Sequence, residues 1–265
     1  MQSNMKKNIV FIVDVKLQGK QTEVGRWAKS RSNPYKFSID SWKVWCDKND
    51  CELFILNDEV LPHSEMPISW QRYYIFDLLE ANKIEYDQIM YVDADTIPHP
   101  DCPNVFEMSD RKFCFVHNDG SYDWVLRSIE NYSKYFFNGY MFRYDHYFDS
   151  GMLIFNETHR EFFNQILSFF HNNKKQLITA EKTWHVGTDQ TPVNFLTHML
   201  NIDYKVLPYE YNMVDMARKE LLLEHMPFID IGWIYQYNSI PDNKDDQLTY
   251  FWMEKTFNKL YGDKI

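Results

Sequence analysis

The chain reads as an α/β protein: a central mixed sheet flanked by helices, with a C-terminal elaboration. Three observations predict this. Short, nearly continuous apolar runs recur at residues 8–15, 51–56, 88–92 and 113–116, the pattern of strands buried on both faces. Segments with helical apolar spacing separate the first three runs, and such alternation implies a right-handed α/β sheet. The composition is that of an ordinary globular protein, with 265 residues, 45% of them apolar and 25% charged. Collagen, coiled coil and disorder are thereby excluded.

Each element has its own signal. The first strand, 8–15, centres on Ile9-Val10-Phe11-Ile12-Val13 and is closed by Asp14. That run is too short for a membrane span or a signal-peptide core, so the expectation is a soluble, cytoplasmic protein. Residues 37–46 have helical spacing, 51–56 form the second strand, and a helix follows Pro67 to residue 81 with Ser69 as N-cap. Strands at 88–92 and 113–116 come next. Residues 120–147 carry ten tyrosines, tryptophans and phenylalanines and are expected to form a loop on the side of an acceptor substrate. Beyond them lie a strand at 152–155, helices at 157–171 and 188–200, a strand at 205–207, an apolar run at 228–234 and a last helix at 248–260. There is no internal repeat and no Gly/Ser-rich linker, so residues 1–265 are expected to form one domain.

Charge and cysteine content narrow the function. Lys and Arg total 28 against 38 Asp and Glu, a net charge of −10. A nucleic-acid binder carries a basic field, so nucleic acid is not an expected partner. An acidic protein that handles phosphate must neutralise it locally, with a metal or a few basic residues. Aromatic residues make up 17% of the chain, and Tyr and Trp suit the faces of sugar rings as well as cores. No pair of the four cysteines, Cys46, Cys51, Cys102 and Cys114, has Cys-x-x-Cys spacing, so reduced thiols are expected.

The segment with the strongest chemical signal is Ile89-Met90-Tyr91-Val92-Asp93-Ala94-Asp95-Thr96. A buried strand ends in two carboxylates two residues apart, and ligands of such sheets sit at the carboxyl ends of the strands. Both acids can converge on a hard cation such as Mn²⁺ or Mg²⁺, which would bridge diphosphate oxygens and stabilise a leaving group.

These residues, with Trp70, Arg72 and Tyr86-Asp87-Gln88 before them, resemble the nucleotide-sugar glycosyltransferases of GT-A fold, and most closely the retaining, family-8-like group. Three later segments agree in order: Tyr147-Phe148-Asp149-Ser150-Gly151 with its strand, Gly187-Thr188-Asp189-Gln190 with Asn194, and Leu207-Pro208 followed by Tyr211-Asn212. The resemblance spans roughly residues 7 to 240. It implies a nucleotide-diphosphate sugar as donor, a glycan or other hydroxyl acceptor, and a Mn²⁺ or Mg²⁺ ion. It places Asp14, Arg72, Asp93, Ala94 and Asp95 at the donor, with Asp93 and Asp95 on the metal. Asp149, Asp189 and Gln190 are placed beside the reacting sugar. Two departures stand out. Asp149 replaces the group's Asn, and Gln236 stands where the group often supplies a third metal ligand, a His. His225 or water is the alternative ligand, and the group's late phosphate-binding Lys is not clearly matched, Lys244 lying nearby.

Two other classes fit less well. Asp93-Ala94-Asp95-Thr96 also matches the first motif of haloacid dehalogenase-type phosphatases, with Asp93 as nucleophile and Asp95 as acid/base. There the motif strand opens the domain, whereas two strands precede it here, and Asp245-Asp246 follows no apolar strand. A non-catalytic sugar-binding module has no need of both acids, and both are present.

Overall fold

The computed structural model describes residues 6–16, 35–184, 189–241 and 247–262. In chain order the elements are β1 (Lys7–Val13), α1 (Tyr35–Lys48), β2 (Glu52–Leu56), α2 (Ile68–Gln71), α3 (Ile75–Ala81), β3 (Tyr86–Val92), β4 (Thr96–Pro98), β5 (Phe113–Val116), α4 (Tyr122–Phe136), β6 (Met152–Asn156), α5 (Arg160–Trp184), α6 (Gln190–Met199), β7 (Tyr204–Leu207), β8 (Ile234–Gln236) and α7 (Leu248–Tyr261).

Six strands form one sheet in the order β2-β1-β3-β6-β5-β7. β1 runs parallel to β2 and β3, and β5 runs parallel to β7; β6 is antiparallel to both of its neighbours. That reversal positions the site. β6 starts at the edge where β3 and β5 stop, so Asp149-Ser150-Gly151 before it lie beside Asp93 after β3 and Asn118 after β5. A small antiparallel ribbon, β4 with β8, pairs Thr96 with Gln236 and carries the C-terminal part of the chain to the same edge.

Strand alternation sorts the sheet's side chains onto two faces. Ile9, Phe11, Ile89, Tyr91, Phe113, Phe115, Leu153 and Phe155 join one core with residues of α3, α4, α5 and α6. Val10, Ile12, Met90, Val92, Cys114, Val116, Met152 and Ile154 join a second with Trp42 and Trp45 of α1. The Trp45 indole donates to the Cys102 carbonyl at 3.1 Å, and the Trp42 indole to the Thr96 hydroxyl at 3.0 Å. A third cluster joins Ile97 to Met213, Tyr235, Tyr237 and the α7 residues Met253 and Tyr261. All four cysteines are buried free thiols. Among the described residues no helix is long and apolar enough to cross a membrane.

Four expectations need correction. The helix after Pro67 is not continuous to residue 81: a 3-10 turn, Arg72–Tyr74, divides α2 from α3, and Pro67, not Ser69, holds the N-cap position. The break turns Gln71 and Arg72 inward. The Gln71 amide oxygen accepts from the Val60 and Leu61 N–H groups, and its nitrogen donates to the Leu61 and Met66 carbonyls. The aromatic segment is not simply a loop, because α4 fills its first half, capped by the Ser121 hydroxyl, which accepts from the Trp124 N–H. The helix expected to end at residue 171 continues to Trp184. The β4–β8 ribbon had no sequence signal; each of its strands has three residues.

Candidate active site

Asp93 is the first residue beyond β3, and its backbone is pinned on both sides. Its N–H donates to the Gly151 carbonyl at 2.8 Å, and its carbonyl accepts from the Thr96 N–H and hydroxyl. The carboxylate is surrounded by donors. Oδ1 accepts from Arg72 at 3.2 Å and from the Tyr91 hydroxyl, and Oδ2 accepts from the Gln236 amide nitrogen at 3.0 Å. Burial still pushes its pKa up, opposed by the Arg72 charge. Ala94 is a half-buried residue of the turn. Asp95 has no such support. Its Oδ1 is buried with no hydrogen-bond partner, and burial, then the Asp93 and Asp149 charges, hold its carboxyl well above the usual range.

Asp149 faces this pair across the edge. Oδ1 accepts from the Gly151 N–H at 2.7 Å and the Asn212 amide at 3.2 Å; Oδ2 has a long contact, 3.5 Å, to the Asn118 amide. Burial and then Asp93 raise its pKa to about 7. Gly151 is needed here for space. A Cβ on it would lie 2.6 Å from Gln236 Oε1 and 2.7 Å from Asp149 Oδ1, below any real Cβ contact.

Arg72 is 5% exposed and ties the two halves of the site together. Its guanidinium donates to Asp93, to the Ser150 carbonyl at 3.0 Å, to the Ser150 hydroxyl at 2.8 Å and to Asp189. It also lies 4.6 Å from the Tyr91 ring centroid. Burial works against its charge, but Asp189, Tyr73, Tyr91 and Asp93 together outweigh it and keep the pKa raised. Asp189, 2% exposed, also accepts from the Tyr73 hydroxyl at 2.7 Å. Next in sequence, Gln190 opens α6, and its amide oxygen accepts from the Ser150 N–H at 3.0 Å and hydroxyl at 3.3 Å. Asn194, one turn on, clamps Phe148 through both its N–H and its carbonyl.

The structure thus brings Arg72, Asp93, Asp95, Asp149, Asp189, Gln190 and Gln236 to one edge. Asp14 closes β1 at that edge, its N–H bonded to the Leu56 carbonyl and its carboxyl raised by burial. His225 is not part of the cluster but is exposed on a turn before Pro227. His185, Gly187, Thr188, Lys244, Asp245 and Asp246 lie outside the described residues. Sequence reasoning missed Tyr73, Tyr91 and Asn118 as site residues. Asn118 follows β5 at the strand-end position that marks such sites, whereas nothing distinguishes the two tyrosines from core residues before the fold is known.

The oxygen donors fit a hard cation. Three buried acceptors, Asp95 Oδ1, Gln236 Oε1 and Asn212 Oδ1, have no donor among the described residues, and buried polar atoms are rarely left so. Among the described residues no cluster of three or more His, Cys, Asp or Glu could hold a metal. A cation here would rest on the two aspartates and a neutral amide oxygen. The larger cavity found, about 380 Å³, is elsewhere, lined by Tyr135, Phe136, Lys175 and Thr179. It lies at the far end of α4, roughly 20 Å along the helix axis, so the carboxylates and not the cavity locate the site.

Comparison with known proteins bears on the fold and the family. A glycosyltransferase involved in the glycosylation of the major capsid of PBCV-1 has the same fold, with a TM-score of 0.57 at 9% identity over 93% of this chain and 98% of that one. The apo-form glycosyltransferase GlyE of Streptococcus pneumoniae TIGR4 aligns with a TM-score of 0.44 at 16% identity; 99% of this chain is covered, and it spans 64% of that one. No curated protein matches. Nothing in these comparisons supports the phosphatase alternative. The family model described as glycosyl transferase family 8 matches residues 2–240, and the chain belongs to that family of glycosyltransferases.

Proposed function

We propose that this glycosyltransferase is metal-dependent and retaining, moving a sugar from a nucleotide-diphosphate sugar to a hydroxyl of a glycan or another acceptor. The observation that carries the reading is the set of unsatisfied buried oxygens beside Asp93 and Asp95 at the carboxyl end of β3. Asp93, Asp95 and Gln236 would hold Mn²⁺ or Mg²⁺ there. When bound, the ion neutralises the diphosphate and stabilises it as leaving group.

The chain's own side chains divide the remaining work. Tyr91, Arg72 and the Gln236 amide nitrogen fix the Asp93 carboxylate, so little reorganisation is needed when substrate arrives. Arg72 and Tyr73 hold Asp189 in place, which makes Asp189 an anchor for the start of α6. Among the described residues no cationic side chain bonds to Asp149, whose Oδ1 accepts from the Gly151 N–H and the Asn212 amide; in its ionised form, favoured above about pH 7, it stabilises the cationic sugar that develops in the transition state. Gln190 is held by Ser150 beside it. Asp14 and Ala94 belong to the donor side, at the ends of β1 and β3. We infer that residues 1–265 act as one catalytic domain. Four buried free thiols support a cytoplasmic place of action.

The test is a donor screen. The protein is incubated with a panel of nucleotide-sugars and Mn²⁺, released nucleotide is measured, and the anomeric configuration of any product is read by NMR. One donor should be turned over with its configuration kept. Asp149→Asn should reduce turnover about a thousandfold, equivalent to about 4 kcal/mol of transition-state stabilisation, with little change in the donor Michaelis constant. An inverted product would overturn the retaining assignment. Undiminished turnover in excess EDTA would overturn the metal.

A further inference from the structure

Residues 120–147 contain an aromatic pair that neither the core nor the carboxylate cluster uses. Within the segment Tyr132, Phe137 and Tyr147 are buried. Tyr122 and Tyr144 are not: they are 57% and 47% exposed. Yet they are not loose. Their rings meet edge to face, with centroids 4.9 Å apart and planes at 75°, a favoured arrangement of two aromatic quadrupoles. Tyrosine has few rotatable bonds, so a paired exposed tyrosine is an ordered contact surface at low entropic cost.

Their place in the chain links the pair to the site. Tyr122 opens α4 four residues after Asn118, whose amide approaches Asp149 Oδ2 at 3.5 Å. Tyr144 lies five residues before Asp149 itself. One ring thus follows the end of β5 and the other precedes the start of β6, the two strand ends that flank Asp149. Beside Tyr144, Arg143 donates to Asp145 at 2.9 and 2.6 Å, and that exposed ion pair supplies hydrogen-bonding groups at the rim. Met141, 53% exposed, is a further apolar residue of the segment. Two rings make a patch far smaller than a stable protein–protein interface requires. The patch matches one sugar ring, which offers an apolar C–H face to an aromatic ring and hydroxyls to the polar rim.

The geometry points to Tyr122 and Tyr144 as a stacking platform for a pyranose ring of the acceptor, which makes the acceptor a glycan. The inference rests on the transferase reading above for the meaning of "acceptor", and its test separates the two. Lactose, cellobiose and maltose are the probes, and saturation-transfer NMR reads their ring C–H protons against the wild type, Tyr122→Ala/Tyr144→Ala and Tyr122→Phe/Tyr144→Phe. In parallel, the melting shift given by UDP with Mn²⁺ is recorded for all three proteins. At least one disaccharide should give a signal with the wild type and the Phe variant. The Ala variant should bind it roughly tenfold more weakly, the scale of losing an aromatic contact, with its UDP–Mn²⁺ shift unchanged. Silence from all three disaccharides with the wild type, or an undiminished signal with the Ala variant, would overturn the platform. A ring-dependent sugar signal with no UDP–Mn²⁺ shift in any protein would uphold the platform and count against a metal-bridged UDP donor instead.

Discussion

Arg72 is the residue on which the site's geometry most depends. One guanidinium joins the end of β3, the turn before β6 and the start of α6, through Asp93, Ser150 and Asp189. A lysine could not reproduce this, because it lacks the planar fork that serves several acceptors at once. Arg72→Gln strands the buried Asp189 charge, and breaking a buried pair in this way costs about 3–5 kcal/mol. The urea midpoint should fall accordingly, and adding Asp189→Asn in the same chain should restore part of the loss by removing the stranded charge. An unchanged midpoint in Arg72→Gln, or no recovery in the double variant, would contradict the clamp. At this scale the sequence was informative about acids and less so about what holds them. Asp93 and Asp95 stand out because two carboxylates follow an apolar strand. Tyr73 and Tyr91 sit in apolar, strand-like or helix-like surroundings, and only the fold reveals that their hydroxyls end on Asp189 and Asp93.

At the scale of elements, legibility followed length and regularity. β5 and the starts of β6 and α7 stand where the apolar pattern places them, and β1, β2, β3 and β7 differ from it at their ends by one or two residues. The break between α2 and α3 was hidden because residues 68–81 keep helical apolar spacing straight through it. What breaks the helix is tertiary, the inward pull on Gln71 and Arg72. The second half of α5 was hidden for the opposite reason, since residues 171–184 are mostly polar and bury only isolated positions such as Leu177 and Ala180. The start of α5 carries a pH dependence. In the cap that joins β6 to α5, His159 Nδ1 accepts from the Asn156 N–H at 3.2 Å while the Asn156 side chain accepts from Thr158. Burial lowers the His159 pKa below its ordinary 6.5. The unfolded chain therefore takes up this proton first as pH falls, and the stability present above pH 6.5 is lost on acidification towards the folded pKa. Burial lowers His117 and His198 as well. Asp149 and Asp95, whose carboxyls are raised, act in the opposite sense over the same range, so the contribution of the cap is a difference between two proteins: from about pH 7.5 to about pH 5.5 the wild-type urea midpoint should fall relative to that of His159→Asn. An identical pH dependence in the two would show that the cap does not titrate in this range.

At the scale of the whole molecule, the problem the fold solves is electrostatic. On the proposed function, a chain of net charge −10 would have to hold an anionic diphosphate at an edge that already gathers Asp93, Asp95 and Asp149. The basic side chain buried in that cluster, Arg72, is committed to the protein's own acids. The proposed divalent cation would resolve this, because it would supply the missing positive charge and satisfy the orphaned oxygens of Asp95 and Gln236 at once. Nucleotide binding should then require the metal, and a ligand that binds only the native state stabilises it by about 2.7 kcal/mol at a hundredfold excess over its dissociation constant. The most direct measurement is the melting temperature with UDP or GDP, in Mn²⁺ and in EDTA, for the wild type and for Asp95→Asn. The wild type should gain several degrees with one nucleotide in Mn²⁺ and almost nothing in EDTA, and Asp95→Asn should gain almost nothing in either. An equal gain in EDTA, or a full gain in Asp95→Asn, would contradict a metal-bridged donor site at the end of β3.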